Sequence, residues 1–419
     1  MEKRIIMFLF VITFLVLSSV VDVNAASKTL SEVDRKLKFL NKPAIKSIKS
    51  EDGDIIDCID IYKQPAFDHP ALRNHTIQMR PSISYASDTS NKPSSLVLSQ
   101  TWQKGGSCPK GTIPIRRIQR HDLLRATSLE HFGRDGLKTF TVENSTNDKS
   151  GYHYGTKAES FSLPDHSAAY LRTTGSGYVG ARGDINIWSP RIDLADDYSS
   201  AQIWLEGTNG NKFESIEVGW MANPKLFGDN QPRVFVRWTL DAYEKTGCIN
   251  LICSGFVQTS QKIALGSAIN PVSQDQGTQY EIKIRIDKDP NNGRWWLQFQ
   301  DEAIGYWPGE ILNALKQNAA TVKWGGDVYS KNVKGVTPHT DTAMGSGYTP
   351  TTNPRADNFG HACFIRNLRI VDNSLQVKFP EAPQYVVEEN NCYGTYQNDT
   401  ATEPLFYFGG PSLNKSFCR

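Results

Sequence analysis

Two carboxyl groups that lie far apart in the chain could carry hydrolytic chemistry. Glu217 lies in the segment Glu214–Trp220 and Asp327 lies in the segment Lys323–Val328. In the first segment apolar residues occupy every second position, which is the pattern of a β-strand with two different faces, so Glu217 points away from the apolar face. Two acids on separate strands can meet on one face of a sheet and share a proton. The alternative is that both are solvated strand acids.

A carboxyl pair of this kind divides the work of hydrolysis between its members. One carboxyl, with a pKa near its ordinary value of about 4, is ionised and activates water as a general base. The other has its pKa raised by the neighbouring charge, stays protonated, and polarises the scissile carbonyl as a general acid. Because the pair shares one proton, we expect such a site to work at acid pH.

The elements that must position these acids are β-strands. Ile282, Ile284 and Ile286 alternate with charged residues, and the turn sequence Asp289–Gly293 joins this strand to a second strand over Arg294–Phe299. Many short strands with few helices indicate an all-β fold, an antiparallel sandwich or barrel. The one helix candidate in this region is Gly309–Lys316. Further strands are predicted over residues 168–173, 178–188, 201–205, 234–240, 364–371 and 405–408.

The N-terminal 26 residues are typical of a secretory leader. Lys3 and Arg4 precede an apolar run over Ile5–Val21, and Val23-Asn-Ala25 offers small residues for cleavage. An uncleaved signal anchor is the alternative. No later segment has the roughly 20 apolar residues that a transmembrane helix needs. The sequence therefore predicts a secreted, extracellular protein.

Residues 27–140 form a separate unit in our interpretation, and residues 160–419 form the β-domain. The first unit has helical apolar spacing over Ser31–Leu40 and a short apolar run over Asp54–Ile61. The basic segment Arg116–Arg120 is either a processing site or a solvated strand end. A polar, glycine-punctuated segment between His131 and Asp165 separates the two units.

Composition excludes several classes of function. The 419 residues carry a formal net charge of +2, which does not indicate binding to nucleic acid or to a membrane surface. Aromatic residues at 11% together with 32 glycines favour β-rich architecture over a helix bundle. The histidines lack zinc-ligand spacing, and there is no phosphate-binding loop or Gly-x-Ser-x-Gly turn. We therefore expect no metal and no cofactor.

Seven cysteines fit an oxidising compartment. Cys248 and Cys253 are close enough in sequence to clamp a small loop, a Cys392–Cys418 bridge would hold the C-terminal segment, and Cys58 and Cys108 could pair with each other. Cys363 is then the odd one, either free and buried or linked to another molecule. Four Asn-x-Ser/Thr sequons are candidate glycosylation sites: Asn74, Asn144, Asn398 and Asn414.

Several segments together resemble the neprosin family, plant secreted proteins whose best-known members are glutamic, proline-directed endopeptidases. The resemblance rests on Glu217-Val-Gly-Trp220, Leu226–Phe235, Gly247–Gln258 and Trp324-Gly-Gly326, and Tyr62–Pro70 resembles part of the family's activation peptide. It implies two stacked, strongly bent antiparallel sheets forming a β-sandwich, preceded by a small mixed pro-domain that inhibits the enzyme. It agrees with the Cys248–Cys253 and Cys392–Cys418 pairings.

The resemblance makes Glu217 the first of two catalytic glutamates, whereas Asp327 stands where active members carry Trp-Gly-Gly-Glu. Aspartate is one methylene shorter, which withdraws the carboxyl by about 1.3 Å if the backbone does not move. A misplacement of about 1 Å can cost on the order of 100-fold in rate. The substitution weakens the expected chemistry without excluding it.

We therefore predict an acid-active endopeptidase that is made as a zymogen and cleaves peptides or proteins near proline. Trp220, Gln258 and Trp324 are the candidate substrate-binding residues, because aromatic faces can stack on a proline ring. The first alternative is a non-catalytic β-sandwich that binds cell-wall glycan or peptide. A glycosidase with two carboxylates is a third option, since sandwiches also host that chemistry.

Overall fold

The computed structural model describes residues 31–82, 99–130, 132–133, 141–142, 161–352, 358–398, 404–411 and 418. The leader predicted over residues 1–26 lies outside these ranges. Within them, no helix is long and apolar enough to cross a membrane. The described chain is mostly β-structure, as the strand patterns predict.

A small three-stranded antiparallel sheet organises the N-terminal unit, with strand order β1-β2-β4. Helix α1 over residues 31–40 packs Val33 against Ile118 and Leu123. The helix was predicted from the spacing of its apolar residues. The elements of this region are α1 (31–40), β1 (Ala44–Lys49), β2 (Ile55–Asp60), β3 (Ser99–Gln100), β4 (Thr112–Arg116), α2 (Arg120–Arg125), β5 (Thr141–Val142) and β6 (Phe161–Ser162).

A 15-stranded antiparallel sheet forms most of the rest of the described chain, while β13 pairs with β3 and β5 pairs with β6 in two separate two-stranded sheets. Its main path runs β11-β10-β9-β8-β17-β7-β14-β15-β16-β12, and β18 to β22 attach beside β7. Strands β7 to β13 are β7 (His166–Asn186), β8 (Tyr198–Asn209), β9 (Lys212–Ala222), β10 (Arg233–Thr239), β11 (Cys248–Ile249), β12 (Val257–Gln258) and β13 (Ile269–Asn270), with helix α3 (Pro224–Phe227) after β9. The later strands are β14 (Glu281–Lys288), β15 (Trp295–Phe299), β16 (Glu302–Trp307), β17 (Ala319–Tyr329), β18 (Cys363–Asp372), β19 (Val377–Lys378), β20 (Gln384–Val387), β21 (Gly394–Asn398) and β22 (Leu405–Gly409).

The long strand β7 connects the two halves of the sheet. Its first half pairs with β17 and β20, and its second half pairs with β14 and β18. The sequence predicted two separate strands here, over residues 168–173 and 178–188, because Gly175 and Gly177 interrupt the pattern. The chain instead remains extended through these glycines, so a single strand carries hydrogen bonds to both halves.

The core lies against one face of the strands. Ile282, Ile284 and Ile286 are buried while the alternate positions are more exposed, which confirms the predicted strand, and β14 pairs with β15 as the predicted hairpin. Most tryptophans on strands are core residues, as expected. Those with almost no exposed surface are Trp220, Trp295, Trp296, Trp307 and Trp324.

The predicted helix over Gly309–Lys316 is wrong. Only Gly309–Ile311 forms a single 3₁₀ turn, after which the chain is irregular. The buried carboxylate of Glu214 accepts hydrogen bonds from the backbone N–H groups of Asn313 and Ala314, at 2.9 and 2.6 Å. Because these contacts replace helical hydrogen bonds, tertiary structure overrides the local helical preference.

The structure contains the three disulfides expected from the sequence, Cys58–Cys108, Cys248–Cys253 and Cys392–Cys418. Cys363 is a free and buried thiol. Of the sequons, Asn74 is exposed and Asn398 is half-buried, whereas Asn144 and Asn414 lie outside the described residues.

The N-terminal unit is fastened to the β-domain by a buried ion-pair network. The Asp54 carboxylate accepts hydrogen bonds from Arg116 at 2.8 Å and from Arg233 of β10 at 2.5 Å. Asp229 also pairs with Arg233, at 2.5 Å. Arg116 is therefore a buried residue of the ion-pair network in this state, and it is neither a solvated strand end nor a site exposed to a processing protease.

Candidate active site

Glu217 and Asp327 lie on one face of the sheet and line the same cleft. Strand β8 runs between β9, which carries Glu217, and β17, which carries Asp327. Glu217 pairs in register with Trp204, and Asp327 pairs with Ser200. The cleft is lined by Leu163, His166, Ala168, Tyr170, Trp204, Glu206, Phe213, Glu217, Arg237, Lys323, Asp327 and Glu388.

The strand register separates the two acids across the cleft. They are two strand spacings apart laterally and four residues apart along β8. In a flat sheet this corresponds to roughly 16 Å between their backbones. Both acids lie in the described part of the chain, and no hydrogen bond joins their carboxyl groups there. The separation leaves room for a ligand between them.

Two glycines flank Gln202 in the sheet between the two acids. Gln202 of β8 lies between Gly219 of β9 and Gly325 of β17. A Cβ on Gly219 would lie 2.0 Å from the carbonyl oxygen of Ala201, and one on Gly325 would lie 2.2 Å from that of Ala169. Neither position accepts a side chain, which explains the glycines of the two sequence motifs. In the part of the chain that the structure describes, the buried Oε1 of Gln202 has no hydrogen-bond partner.

Glu217 is held by several donors at once. Its Oε2 accepts hydrogen bonds from both Nε and Nη2 of Arg237, at 2.9 and 2.6 Å, and from Gln202 at 3.2 Å. Its Oε1 accepts from the hydroxyls of Ser215 at 2.7 Å and Tyr243 at 2.6 Å. Arg237 lies directly across from Glu217 in the β9–β10 register. Since ion pairs and donors favour the charged form, this environment suits an ionised carboxylate.

Asp327 has a different partner. Its Oδ2 lies 2.8 Å from Nδ1 of His166, the first residue of β7. Burial would raise the pKa of Asp327, but the charge and hydrogen bond of His166, with smaller contributions from Arg237 and Lys334, outweigh it and lower the pKa. Asp327 is therefore favoured as a carboxylate.

A second ion pair closes one end of the cleft. Lys323 donates to Glu206 at 2.7 Å and lies 5.0 Å from the ring centre of Tyr170. Burial alone would lower the pKa of Lys323, but the charge of Glu206 outweighs it and raises the pKa. At the other end, burial raises the pKa of Glu388 although Lys334 opposes the shift. Charged groups thus flank an otherwise aromatic cleft.

The predicted substrate-binding residues lie elsewhere. Trp220 and Trp324 are in the core, where their indole N–H groups donate to the backbone carbonyls of Asn186 and Arg182. Gln258 is buried beneath the N-terminal unit and hydrogen-bonds Gln64. None of the three belongs to the cleft lining. The aromatic residues that do are Trp204, Tyr170 and Phe213.

Sequence reasoning missed Arg237 and His166, the two residues that pair with the acids. Arg237 carried a usable signal, because it lies on the strand that follows Glu217 and a cation opposite an acid is a common cross-strand pair. His166 carried none, since it stands 161 positions from Asp327. The partners come together only through the pairing of β7 with β17.

One cluster in the described chain has the composition of a metal site. His339 lies with Cys392 and Cys418, and its Nδ1 is 3.3 Å from the sulfur of Cys418. The two sulfurs are bonded to each other, and a metal would need them as thiolates. In the disulfide-bonded state the cluster is a structural contact. The candidate active site itself is built from carboxylates with their cationic partners.

Comparison with known proteins shows that the chain matches two family models. The Neprosin family model matches residues 195–411, which includes both Glu217 and Asp327, and the Neprosin activation peptide model matches residues 47–158. The described part of the second match forms much of the N-terminal unit with strands β1 to β4.

Solved structures with some similarity include a scytalido-glutamic peptidase with a transition state analog inhibitor. It is 10% identical, with a TM-score of 0.32 over 58% of this chain and 98% of that chain. SCP-B, described as a member of the Eqolisin family of peptidases in complex with the tripeptide Ala-Ile-His, is 9% identical with a TM-score of 0.31 over 58% and 96% of the two chains. CG-16, a homodimeric agglutinin from chicken liver, is 11% identical with a TM-score of 0.22 over 39% and 96%.

The family assignment rests on the two family models, which together extend over most of the chain from residue 47 onward. The motifs that suggested the resemblance, around Glu217 and Trp324, lie inside the longer match. This chain belongs to the neprosin family.

Proposed function

We propose that this protein is a secreted endopeptidase, made as a zymogen, that hydrolyses proline-containing peptides in acid. The observation that carries the proposal is the placement of Glu217 and Asp327 on opposite sides of one cleft, in a chain that also has a Neprosin activation peptide. The leader-like N-terminus and the disulfides support secretion. We expect the two halves of the sheet to form the two bent layers of a sandwich.

Glu217 is the proposed general base. Arg237 holds its Oε2 in an ion pair, and the Ser215 hydroxyl can rotate and yield its place on Oε1 to a water molecule. That water would attack the scissile carbonyl as Glu217 takes up its proton. Asp327 acts on the carbonyl side of the cleft.

Proline recognition falls to the aromatic residues of the cleft rather than to Trp220 or Trp324. Trp204 lies beside Glu217 in register and in contact with Tyr170, at 6.1 Å between ring centres. Aromatic faces of this kind suit the apolar ring of proline. Phe213 extends the same lining.

The activation peptide is the proposed intramolecular inhibitor. None of the residues described between positions 31 and 133 lines the cleft. They contact instead the loops around Arg233, Gln258 and Ala264. This part of the segment would therefore maintain latency by holding those loops in place until acid weakens its ion pairs.

The test is peptide cleavage by the full chain secreted from an expression host, at pH 3 to 7, with the mass of the chain followed in parallel. We expect loss of the N-terminal unit and cleavage of a proline-containing peptide, both abolished in Glu217→Gln. Because that substitution leaves Arg237 buried without its counterion, the double variant E217Q/R237Q tests folding with the charge balance restored. Glu302→Gln, an exposed acid paired with Lys262, is the matched control.

A non-catalytic role in binding peptide or glycan is the second candidate. It is favoured by the five hydrogen bonds that already occupy the Glu217 carboxylate. If the wild type cleaves nothing at any pH after removal of residues 27–140 by an added protease, and Asp327→Glu does not restore turnover, the peptidase proposal is wrong. Ligand screening of the intact fold would then test the binding role.

A further inference from the structure

His166 lies in the cleft next to the acid that departs from the family pattern. The direct cross-strand neighbour of Asp327 on β7 is Ala168, which carries only a methyl group. The ring of His166, two residues earlier on the same face, therefore reaches the Asp327 carboxylate, with Nδ1 and Oδ2 2.8 Å apart. The side chain of His166 is 12% exposed, so the ring is largely buried but retains access to the cleft.

Two tyrosines fix the orientation of this ring. Tyr198 and Tyr329 stack on each other, with 5.1 Å between ring centres, and both present edge contacts to His166 at 5.8 and 5.3 Å. The Tyr198 hydroxyl accepts a hydrogen bond from Arg237 at 3.2 Å, and Arg237 pairs with Glu217. The same contacts thus position His166 and Glu217 relative to each other.

The hydrogen bond to Asp327 decides which ring nitrogen is left for a substrate. A carboxylate accepts hydrogen bonds only, so Nδ1 donates to Asp327 and Nε2 is on the opposite side of the ring. Within the described residues, Nε2 has no hydrogen-bond partner. The charged groups around the Asp327–His166 pair are Glu388 after β20, Lys334 after β17 and Arg237 on β10. Asp327 is the one in direct contact, and its hydrogen bond orients the ring.

We propose that His166, oriented by Asp327, is the proton donor of the peptide hydrolysis assigned above. The inference rests on the proposed function and deepens it, because it moves the acid role from Asp327 to a residue that touches it. The aspartate at position 327 is then not a weakened substitute for glutamate. It leaves space for an imidazole, which extends the reach of the acid into the cleft.

The proposed peptide hydrolysis proceeds in two steps. Glu217 takes a proton from water while the water oxygen bonds to the carbonyl carbon, and the π electron pair moves to the carbonyl oxygen, which accepts a hydrogen bond from Nε2–H of His166. His166 then transfers this proton to the amide nitrogen as the C–N bond breaks. The products are a carboxylic acid and an amine, and the proton held by Glu217 returns to His166 through solvent.

The test compares His166→Asn with wild type on a proline-containing fluorogenic peptide. The asparagine amide retains a donor near the position of Nδ1 and lacks Nε2, so the contact with Asp327 survives while the transferable proton is lost. We expect kcat to fall by about 100- to 10,000-fold with little change in KM. We also expect the pH dependence of kcat to change, because asparagine has no ring nitrogen that can hold and release a proton. Added imidazole should partly restore kcat of His166→Ala.

His361→Asn is the matched control, because His361 forms a second His–Asp contact, with Asp275 at 2.6 Å, outside the cleft. It should leave the kinetics unchanged. Full kcat with an unchanged pH profile in His166→Asn would overturn the proposal, as would a loss of kcat with an unchanged profile and no imidazole rescue. Failure of the proposed function would give a different result: the wild type would be inactive, and Glu217→Gln would not change it. That result would overturn both the proposed function and the role of His166.

Discussion

Asp327 and His166 form a hydrogen-bonded pair at 2.8 Å, and Glu217 forms a separate pair with Arg237 at 2.6 Å. Glu217 and Asp327 therefore each have their own nitrogen partner. A shared-proton dyad needs two carboxyls in contact whose charges repel, so that the pKa of one is raised. Here the pKa of Asp327 is lowered, and the sheet register separates the acids. The arrangement suits a base and an acid that operate from opposite sides of a substrate.

Replacing Arg237 with methionine should destabilise the fold. The substitution leaves the buried Glu217 carboxylate without its cation, a change that typically costs about 3–5 kcal/mol. The loss should be smaller at pH 4 than at pH 7, because the carboxyl can take up a proton in acid. Urea denaturation at both pH values measures the free energy of unfolding. Arg120→Met, at a half-exposed ion pair with Asp34, should change it by less than about 0.5 kcal/mol.

The contribution of Asp327 to stability should depend on pH. The pKa of Asp327 is lowered in the folded state, so the folded state favours the carboxylate. The resulting stabilisation of the folded protein is fully present above the unfolded-state pKa of about 3.9, and it is lost as the pH falls through the folded-state pKa. Asp327→Asn should therefore reduce the free energy of unfolding by about 1–3 kcal/mol at pH 5.5. The difference from wild type should shrink at pH 2.5. An equal difference at both pH values would contradict the ionised pair.

Asp54 should fasten the N-terminal unit to the β-domain. Asp54→Asn removes the charge between Arg116 and Arg233, which are both buried, and should make the unit more susceptible to limited trypsin digestion at pH 7. The sites cut, identified by mass spectrometry, should include Arg116 or Arg117. Asp68→Asn, whose partner Lys42 lies near the surface, is the control and should digest like wild type. Equal digestion of all three proteins would show that the network does not hold the unit.

Cys363 should be unreactive in the folded protein. The thiol is fully buried, and burial raises its pKa well above the ordinary value, so little thiolate forms. Iodoacetamide at pH 8 should leave the intact mass unchanged under native conditions and add one label in guanidinium. Labelling of the native protein, or a disulfide-linked dimer, would contradict the free, buried state.

Alternation along a strand is the strongest signal that this sequence carries. It places the side chains of Glu217 and Trp220, three positions apart, on opposite faces of their strand. The same rule places Asp327 and Trp324, which are also three positions apart, on opposite faces of theirs. Applied consistently, it excludes both tryptophans from the cleft and assigns them to the core, where the structure has them. Their selection as substrate-binding residues followed the family motif and neglected this geometry. Trp204, one of the aromatic residues of the cleft, is in register with Glu217.

Local patterns therefore determined the strands, the β14–β15 hairpin and the face of each strand that carries an acid, because these depend on residues close in the chain. The disulfide pairings were predicted from the spacing of the cysteines, and two of them agreed with the family resemblance. Only the tertiary structure decided which nitrogen partner each acid has. Those contacts depend on the register between β9 and β10 and between β7 and β17, and a shift of one residue would turn Arg237 or His166 to the other face.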